Sequence, residues 1–229
     1  MKITWYGESG FRLESQGKSL LLDPYFSDAL GKRREDRRRL IPADPAWAEE
    51  PTDYLLFTHC HIDHTDPETA AALLRAHPGL IMAGPPSSRA LLPDAPVFFE
   101  MKAGDTAQLS PFRVTATPAV HSDRWAVGYT VEAEGKLLYF SGDTALLCGL
   151  QERVPKSPDV AFLCFNGGVG KNMEEADALR LAQAIAPRCV VPFHYGVLPG
   201  GAHPEAFLIL LKQAGIPTHL CEIGKRWIL

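Results

Sequence analysis

The chain has 229 residues, of which 46% are hydrophobic and 22% are charged. This length and this balance are typical of a folded globular chain, and they exclude a disordered, collagen-like or coiled-coil protein. Lysine and arginine total 23 against 27 acidic residues, which gives a formal net charge of -4. A chain with this balance carries no general positive field that would hold nucleic acid or an anionic membrane.

The sequence contains no recognisable secretion or membrane signal. Its first ten residues, MKITWYGESG, lack the apolar stretch of a signal peptide, and no run of 18 apolar residues occurs in the chain. The five cysteines are spread without a CxxC pair, which disfavours a disulfide framework and a cysteine zinc site. We therefore expect a cytoplasmic protein with reduced thiols, built as a single domain over residues 1–229.

Short strands dominate the first half of the predicted chain. The first 25 residues predict a three-stranded meander, and the charged run 31–39 that follows is expected to be a solvated surface segment. A short buried strand from about residue 54 leads into a polar loop and then into a helix, with Asp66 as its N-cap and Pro67 at its first position. Further strands are predicted at 80–84, 96–99, 112–118, 127–133 and 136–142.

A second strand-to-helix unit is predicted in the C-terminal half. Its strand covers 159–165, and a glycine-bearing loop leads to a helix over 174–186. The predicted buried face of this helix consists of Ala176, Leu179, Ala182 and Ala186. The remaining predicted elements are a strand at 189–193, a helix at about 204–214, and terminal strands near 216–221 and 225–229. Because strands outnumber helices and both halves end in strand and helix, we predict an α+β fold of two packed β-sheets with helices outside.

Polar side chains crowd the loop after the strand that begins near residue 54. The run His59-Cys60-His61-Ile62-Asp63-His64 places three imidazoles and one carboxylate within six residues. Groups of this kind at the end of an apolar strand need pairing or metal coordination. His59 and His61 project to the same side of an extended segment, and Asp63 and His64 can face back where the chain turns into the helix. One segment can therefore serve two adjacent ions.

Three further candidate ligands end other apolar runs. They are His121 after FRVTATPAV, Asp143 after KLLYFSG and His194 after CVVPF. A single histidine or aspartate at a strand end is more often a surface or capping residue. The agreement of all three with the HxHxDH cluster favours metal binding.

This pattern resembles the metallo-β-lactamase superfamily, whose fold is an αββα sandwich with a dinuclear metal site between mixed sheets. The resemblance continues through Ser141-Gly142-Asp143-Thr144 and Pro192-Phe193-His194-Tyr195. It implies two divalent ions, zinc or manganese, with iron as a further alternative. It also implies that one ion is bound by His59, His61 and His121, the other by Asp63, His64 and His194, and that Asp143 bridges them.

Flanking segments resemble the L-ascorbate-6-phosphate lactonase family more narrowly. The matching segments are GFRLE at 10–14, LLDPYFSD at 21–28, HTDPET at 64–69, FNGG at 165–168 and PFHY at 192–195. Members of this family open sugar-acid lactones with manganese or zinc, and the resemblance implies a homo-oligomer. The glycine loop here continues as Val169-Gly170, without the charged residues expected after Asn-Gly in lactonases proper, so the substrate is left open.

The expected function is hydrolysis of a small anionic substrate, a sugar-acid lactone or related ester, by a hydroxide bridging two metal ions. Asp63 is the predicted catalytic residue, which orients the hydroxide and accepts its proton. The basic run 32–39 is a further candidate for holding a phosphate. Four residues beside the metal segments are candidates for binding the substrate, namely Asn166, Tyr195, Arg124 and Lys171.

Other function classes fit less well. A diiron oxygen or nitric-oxide reductase of this fold usually has Glu in place of His61 and carries a flavin domain, and this chain has neither. A binding module without activity would be expected to have damaged ligands, whereas all seven are present. A phosphodiesterase or nuclease of the same fold is the alternative, although a nuclease favours a basic surface or a clamp domain. We therefore expect a small-molecule substrate and neither nucleic acid nor a membrane as partner.

Overall fold

The computed structural model describes residues 1–147, 149–167 and 172–229. Within these residues the strands form two sheets. The strands of the first sheet are, in chain order, β1 (Lys2–Trp5), β2 (Phe11–Ser15), β3 (Lys18–Leu22), β4 (Tyr54–Leu56), β5 (Ile81–Gly84), β6 (Phe98–Glu100) and β13 (Arg226–Ile228). Those of the second are β7 (Thr106–Leu109), β8 (Phe112–Pro118), β9 (Val127–Ala133), β10 (Lys136–Phe140), β11 (Val160–Cys164) and β12 (Val190–Phe193).

Short helices connect the strands. The α-helices are α1 (Ala29–Arg33), α2 (Pro67–Ala76), α3 (Pro86–Leu91), α4 (Leu150–Arg153), α5 (Glu175–Ile185) and α6 (Pro204–Gln213), with 3-10 turns at Glu35–Arg37 and Pro45–Ala48. Helix α2 begins as predicted, because the side chain of Asp66 accepts the backbone N–H of Glu68 and Pro67 occupies the first helical position. None of the helices in the described part of the chain is long and apolar enough to cross a membrane.

Each sheet has an antiparallel half and a parallel half. The first sheet has the order β13-β1-β2-β3-β4-β5-β6, and its pairs are antiparallel as far as β3 and parallel from β3 to β6. The second has the order β12-β11-β10-β9-β8-β7, with parallel pairs from β10 to β12 and antiparallel pairs elsewhere. This arrangement confirms the predicted α+β sandwich of two mixed sheets.

The main core fills the space between the two sheets. Phe11 from the first sheet contacts Phe162 from the second, with ring centroids 4.8 Å apart, and Phe162 stacks on Phe140 at 4.1 Å. All three side chains are buried, and such aromatic pairs stabilise a core beyond the area that they bury. Two further apolar clusters lie on the outer faces, one beneath α5 and α6 and the other beneath α2. The helices therefore cover the outside of the sandwich, as expected.

The buried face of α5 differs from the predicted face. The residues buried on this helix are Ala178, Leu181, Ala182 and Ile185, whereas the predicted face was Ala176, Leu179, Ala182 and Ala186. The predicted face followed the alanines, but burial follows the large side chains Leu181 and Ile185, which remove more apolar area from water. Ala186 lies beyond the helix as its C-cap, with a φ of +48°.

Other small elements also differ from the prediction. The expected strand at 216–221 is reduced to a single bridge between Thr218 and Val190. Strand β7 and helices α3 and α4 were not predicted. The two helices have six residues and four residues, which is too short for an apolar period to stand out in the sequence.

Candidate metal centre

The candidate site lies where parallel strands of both sheets end. Asp23 directly follows β3, and the metal loop, residues 58–64, follows β4. In the second sheet, polar side chains follow four strands, with His121 after β8, Asp143 after β10, Asn166 after β11 and His194 after β12. Strand β8 runs parallel to β10 because both are antiparallel to β9. All of these side chains therefore meet at one edge of the sandwich.

Three imidazoles form the first donor group. His59 Nε2 is 3.0 Å from His61 Nδ1, and His121 Nε2 is 3.2 Å from the same His61 nitrogen. Each residue thus offers one ring nitrogen to a common point, with all three nitrogens within 4.8 Å of one another. Three imidazole nitrogens are a common ligand set for zinc.

Two imidazoles and a carboxylate form the second donor group. His64 Nε2 is 3.1 Å from His194 Nε2, which is 3.7 Å from Asp63 Oδ2. The three donor atoms again lie within 4.8 Å of one another. This group contains the acidic residue and the histidine that end the metal loop, together with the histidine that ends β12.

The carboxylate of Asp143 lies between the two groups. Its Oδ1 is 3.5 Å from His64 Nε2, and its Oδ2 is 3.4 Å from His194 Nε2 and 3.9 Å from His121 Nε2. The structure thus brings all seven predicted ligands together in the grouping that the resemblance implied. Asp143 therefore lies within 4 Å of imidazole nitrogens from both groups.

The donor set fits divalent cations. Burial lowers the pKa of His121 to about 4, and burial together with the nearby His64 lowers that of His59, which favours the neutral form that binds a metal. Burial acts in the same direction on the other two rings, but Asp143 and Asp23 raise the pKa of His64, and Asp143 and Glu8 raise that of His194 to about 9, so a cation bound by these rings would displace a proton. Burial alone would raise the pKa of Asp143, but the adjacent His194 and His64 hold it well below its usual value. Its buried Oδ1 has no hydrogen-bond partner among the described residues. An ionised, unpaired carboxylate oxygen among imidazoles is chemically suited to a cation.

Polar contacts to the second ring nitrogen, Nδ1, orient two of the candidate histidine ligands. His64 Nδ1 is 2.8 Å from Oδ2 of Asp23, and His59 Nδ1 is 3.0 Å from the hydroxyl of Thr58. Asp23 is 1% exposed and also accepts the backbone N–H of Thr58 at 2.8 Å. Such outer contacts fix the ring orientation of metal-binding histidines. Asp23 was not among the predicted site residues, and its position directly after the apolar β3 was the available indication.

Two asparagines connect Asp143 with His194. Asn172 donates from Nδ2 to Asp143 Oδ2 at 2.7 Å and to Asn166 Oδ1 at 2.8 Å. Nδ2 of Asn166 in turn lies 2.9 Å from His194 Nδ1. Asn166 was predicted to bind substrate. It does line the cavity, but its amide contacts a candidate ligand. Asn172 was not predicted.

A cavity of about 570 Å³ opens over the donor groups. One wall contains candidate ligands and the two asparagines, and another is formed by the arginine segment, residues 29–39. A third contains the loop at 198–201. The polar and charged residues that line the cavity are Glu8, Arg33, Arg34, Arg37, His61, Asp63, Asp143, Asn166, Asn172 and His194.

The arginine segment divides its basic side chains between the cavity and the rest of the protein. Arg33, Arg34 and Arg37 line the cavity. Arg38 instead pairs with Asp28 and Glu35, and Arg39 lies over the ring of Tyr25. The segment was expected to be solvated, and most of it is exposed, but three of its arginines face the candidate site.

Two residues predicted to bind substrate do not line the cavity. Tyr195 packs between Trp5 and Phe165, at centroid distances of 5.0 and 5.7 Å. Arg124 lies over the ring of Trp125, 4.9 Å from its centroid. Both were chosen because they neighbour metal segments along the chain, and in both cases an aromatic contact directs the side chain elsewhere. Lys171 lies outside the described residues.

Comparison with known proteins agrees with this geometry. Residues 2–194 match the model of the β-lactamase superfamily domain. A UPF0173 metal-dependent hydrolase of Geobacillus thermodenitrificans is 30% identical over 92% of this chain and 93% of its own length. Another, from Opitutus terrae, is 27% identical over 98% of each chain.

A solved structure of similar fold also matches this chain. It is that of Igni18, a metallo hydrolase from Ignicoccus hospitalis, which is 25% identical to this chain and has a TM-score of 0.80. The match covers 100% of this chain and 98% of the other. The chain belongs to the β-lactamase superfamily and is a metal-dependent hydrolase of the metallo-β-lactamase fold.

Proposed function

We propose that this protein hydrolyses a lactone or related carboxylic ester in a small anionic substrate, with two divalent ions at the donor groups. The observation that carries this proposal is the position of Asp143 between two complete groups of donors. The proposed ligands of the first ion are His59, His61 and His121. Those of the second are Asp63, His64 and His194, and Asp143 is shared.

The chemistry of the reaction is divided between the ions and the chain. Zinc or manganese ions, with iron as an alternative, would lower the pKa of water to about 7 and polarise a carbonyl oxygen. Asp63 lines the cavity, with a side chain that is 17% exposed, so its carboxylate can reach both solvent and substrate. In this proposal Asp63 orients the attacking water and accepts its proton.

The arginine segment supports an anionic substrate. The chain has a net charge of -4, yet Arg33, Arg34 and Arg37 line the same cavity as the donor groups. Arg33 has no ion pair with any other described residue, and Arg34 pairs only with the exposed Asp36. A guanidinium group recognises a carboxylate or a phosphate through paired hydrogen bonds. In this proposal the arginines hold an anionic group of the substrate while its ester lies over the metal ions.

Hydrolysis of a small phosphodiester is the second candidate function, since the same arginines would also suit a phosphodiester. A long nucleic acid fits less well, because the cavity has walls on several sides and a volume of about 570 Å³. Small ligand pockets have volumes in this range.

A hydrolysis screen distinguishes the two candidates. The protein would be freed of metal with a chelator and reloaded with zinc or manganese. It would then be assayed against hydroxy-acid lactones, carboxylic esters, thioesters and small phosphodiesters. We expect metal-dependent opening of lactones or esters that carry an anionic group. Turnover of phosphodiesters alone would support the second candidate, and hydrolysis of none of these classes would refute both.

A further inference from the structure

The second ring nitrogen of each candidate histidine ligand bears on how the metal would be held. When one nitrogen of a neutral imidazole binds a cation, the other carries a proton and needs an acceptor. For His64 that acceptor is the carboxylate of Asp23, 2.8 Å from Nδ1. For His59 it is the hydroxyl of Thr58, 3.0 Å from Nδ1.

His194 lacks an equivalent acceptor at hydrogen-bond distance. Its Nδ1 lies 2.9 Å from Nδ2 of Asn166, which is an amide nitrogen. An amide nitrogen only donates, so a protonated Nδ1 would place two donors against each other. The neutral ring with an unprotonated Nδ1 carries its proton on Nε2, and that proton would block Nε2 from the metal.

The orientation of Asn166 follows from its neighbours. An ionised Asp143 can only accept, so Asn172 must present its amide NH₂ group to Asp143 Oδ2 at 2.7 Å. The second hydrogen of that NH₂ group is donated to Asn166 Oδ1 at 2.8 Å. Reversing either amide would place two acceptors or two donors in contact. Asn166 therefore has only its own NH₂ group left for His194.

Glu8 carries the acceptor that His194 needs. Its Oε2 is buried, has no hydrogen-bond partner among the described residues, and lies 3.8 Å from His194 Nδ1. The backbone carbonyl of Glu8 also accepts the N–H of His194 at 3.1 Å, which keeps the two residues together. Glu8 has a φ of +46°, a strained conformation for a residue other than glycine. Strain of this kind persists where the surrounding structure holds a residue in place.

We propose that Glu8 is a positioning residue that accepts a hydrogen bond from Nδ1–H of His194 and thereby holds Nε2 toward the second donor group. This inference rests on the proposed role of His194 as a ligand. A shift of about 1 Å would bring the pair to the length of a hydrogen bond. Glu8 would then accept a hydrogen bond from Nδ1–H of His194, as Asp23 does from Nδ1–H of His64.

A matched pair of variants tests this role without any substrate. Glu8→Gln retains an oxygen that can accept from Nδ1–H, whereas Glu8→Met removes the acceptor. Both replacements are unbranched, so they meet the same backbone strain at φ +46°. The readouts are the affinity for each zinc ion, measured by competition with a chromophoric chelator, and the ¹⁵N shifts of the His194 ring. We expect Glu8→Met to weaken binding of one zinc ion by about 10- to 100-fold. Glu8→Gln should remain within about fivefold of the wild type.

A second substitution supplies a rescue. Asn166→Asp introduces a carboxylate at the position that lies 2.9 Å from His194 Nδ1. The double variant Glu8→Met/Asn166→Asp should therefore regain most of the lost affinity, with the ¹⁵N shifts of a ring protonated on Nδ1. If Glu8→Met does not fold, the test uses the ¹⁵N shifts of the zinc-loaded wild type and of Glu8→Gln. Both proteins must then show a proton on Nδ1 of His194. A wild type without a proton on Nδ1 overturns the inference.

The remaining outcomes also separate this inference from the proposed function. Two tightly bound zinc ions in both the wild type and Glu8→Met would refute the role of Glu8 alone. Equal weakening by Glu8→Met and Glu8→Gln without rescue would refute it as well, because a packing defect accounts for that result. A wild type that binds fewer than two zinc ions would refute the dinuclear site and the role of Glu8 together.

Discussion

Asp63 differs from the other acidic candidate ligand in its access to the cavity. Its side chain is 17% exposed, whereas that of Asp143 is 6% exposed. A carboxylate that serves only to bind a metal gains from burial, because its interaction with the ion strengthens as water is excluded. A carboxylate that also transfers a proton needs access to the reacting water. The exposure of Asp63 therefore agrees with a role beyond metal binding.

Replacement of Asp63 by Asn tests that role. The variant keeps one oxygen that can contact the metal but cannot accept a proton, so we expect kcat to fall by about 10²- to 10⁴-fold. Steady-state kinetics on the substrate found in the screen would measure this change. The metal content must be determined in parallel, because lost activity with retained metal assigns the effect to proton transfer. A variant with near wild-type kcat would contradict the proposed role.

The seven candidate ligands could be predicted from the sequence, but the residues that orient them could not. Three histidines and an aspartate within six residues form a local pattern that is typical of metal binding. Asp23 and Glu8 are single acidic residues of the first meander. Asp23 directly follows an apolar strand, which is a weak local indication, whereas nothing local distinguishes Glu8 from a turn residue. They reach the site only because β1, β3 and β12 end at the same edge of the sandwich.

At the scale of elements, α1 and the turn after it decide which arginines reach the cavity. The segment is held by Tyr25, Ala29 and Leu198, which form a small apolar cluster with neighbouring side chains. Gly31 lies so close to Asp28 and Arg38 that a Cβ atom would come within 2.5 Å of the Asp28 carboxylate. The composition of the basic run was visible in the sequence. The division of its arginines between cavity and exterior was not, because it depends on this packing.

Removal of two arginines tests the contribution of the segment. We expect the double substitution Arg33→Gln/Arg37→Gln to raise KM by about tenfold more for anionic substrates than for neutral analogues, because charge-assisted hydrogen bonds are lost. The double substitution Arg113→Gln/Arg180→Gln is the matched control, since it removes the same two charges from β8 and α5, where Arg113 pairs with Glu132 and Arg180 pairs with Asp177. An equal rise in KM for anionic and neutral substrates would contradict a role in anion binding.

The buried face of α5 provides a separate test of packing. Leu181 is fully buried beneath the helix, whereas Leu179 is only partly buried. Leu181→Ala should lower the free energy of unfolding by about 2–5 kcal/mol, as expected for a leucine truncated in a core. Leu179→Ala should lower the free energy of unfolding by a clearly smaller amount. Urea denaturation of the two variants measures the difference, and a larger loss for Leu179→Ala would favour the face predicted from the alanines.

At the scale of the whole molecule, the two mixed sheets account for the position of the site. Side chains of the site lie in the loops after seven of the described strands, and these strands end at the same edge of the sandwich. They are β1, β3 and β4 of the first sheet and β8, β10, β11 and β12 of the second. The fold class could be predicted from the order of strands and helices. The order of strands within each sheet could not, because it depends on pairing between residues as distant as Lys2 and Ile228.

The charge of the whole molecule agrees with a cation-loaded state. The chain alone carries a formal charge of -4, and two divalent ions would bring it close to neutrality. Part of the acidic excess is located at the candidate site, where Asp63 and Asp143 lie among the imidazoles. The overall charge therefore reflects the proposed metal site as well as the surface.

The dependence of hydrolysis on metal stoichiometry tests the central claim most directly. Protein freed of metal with a chelator would be titrated with zinc or manganese, and the rate of lactone or ester hydrolysis would be recorded at each addition. Because Asp143 joins two donor groups, we predict that activity reaches its plateau at two ions per chain. Full activity at one ion per chain, or hydrolysis that is independent of added metal, would contradict a dinuclear hydrolytic site.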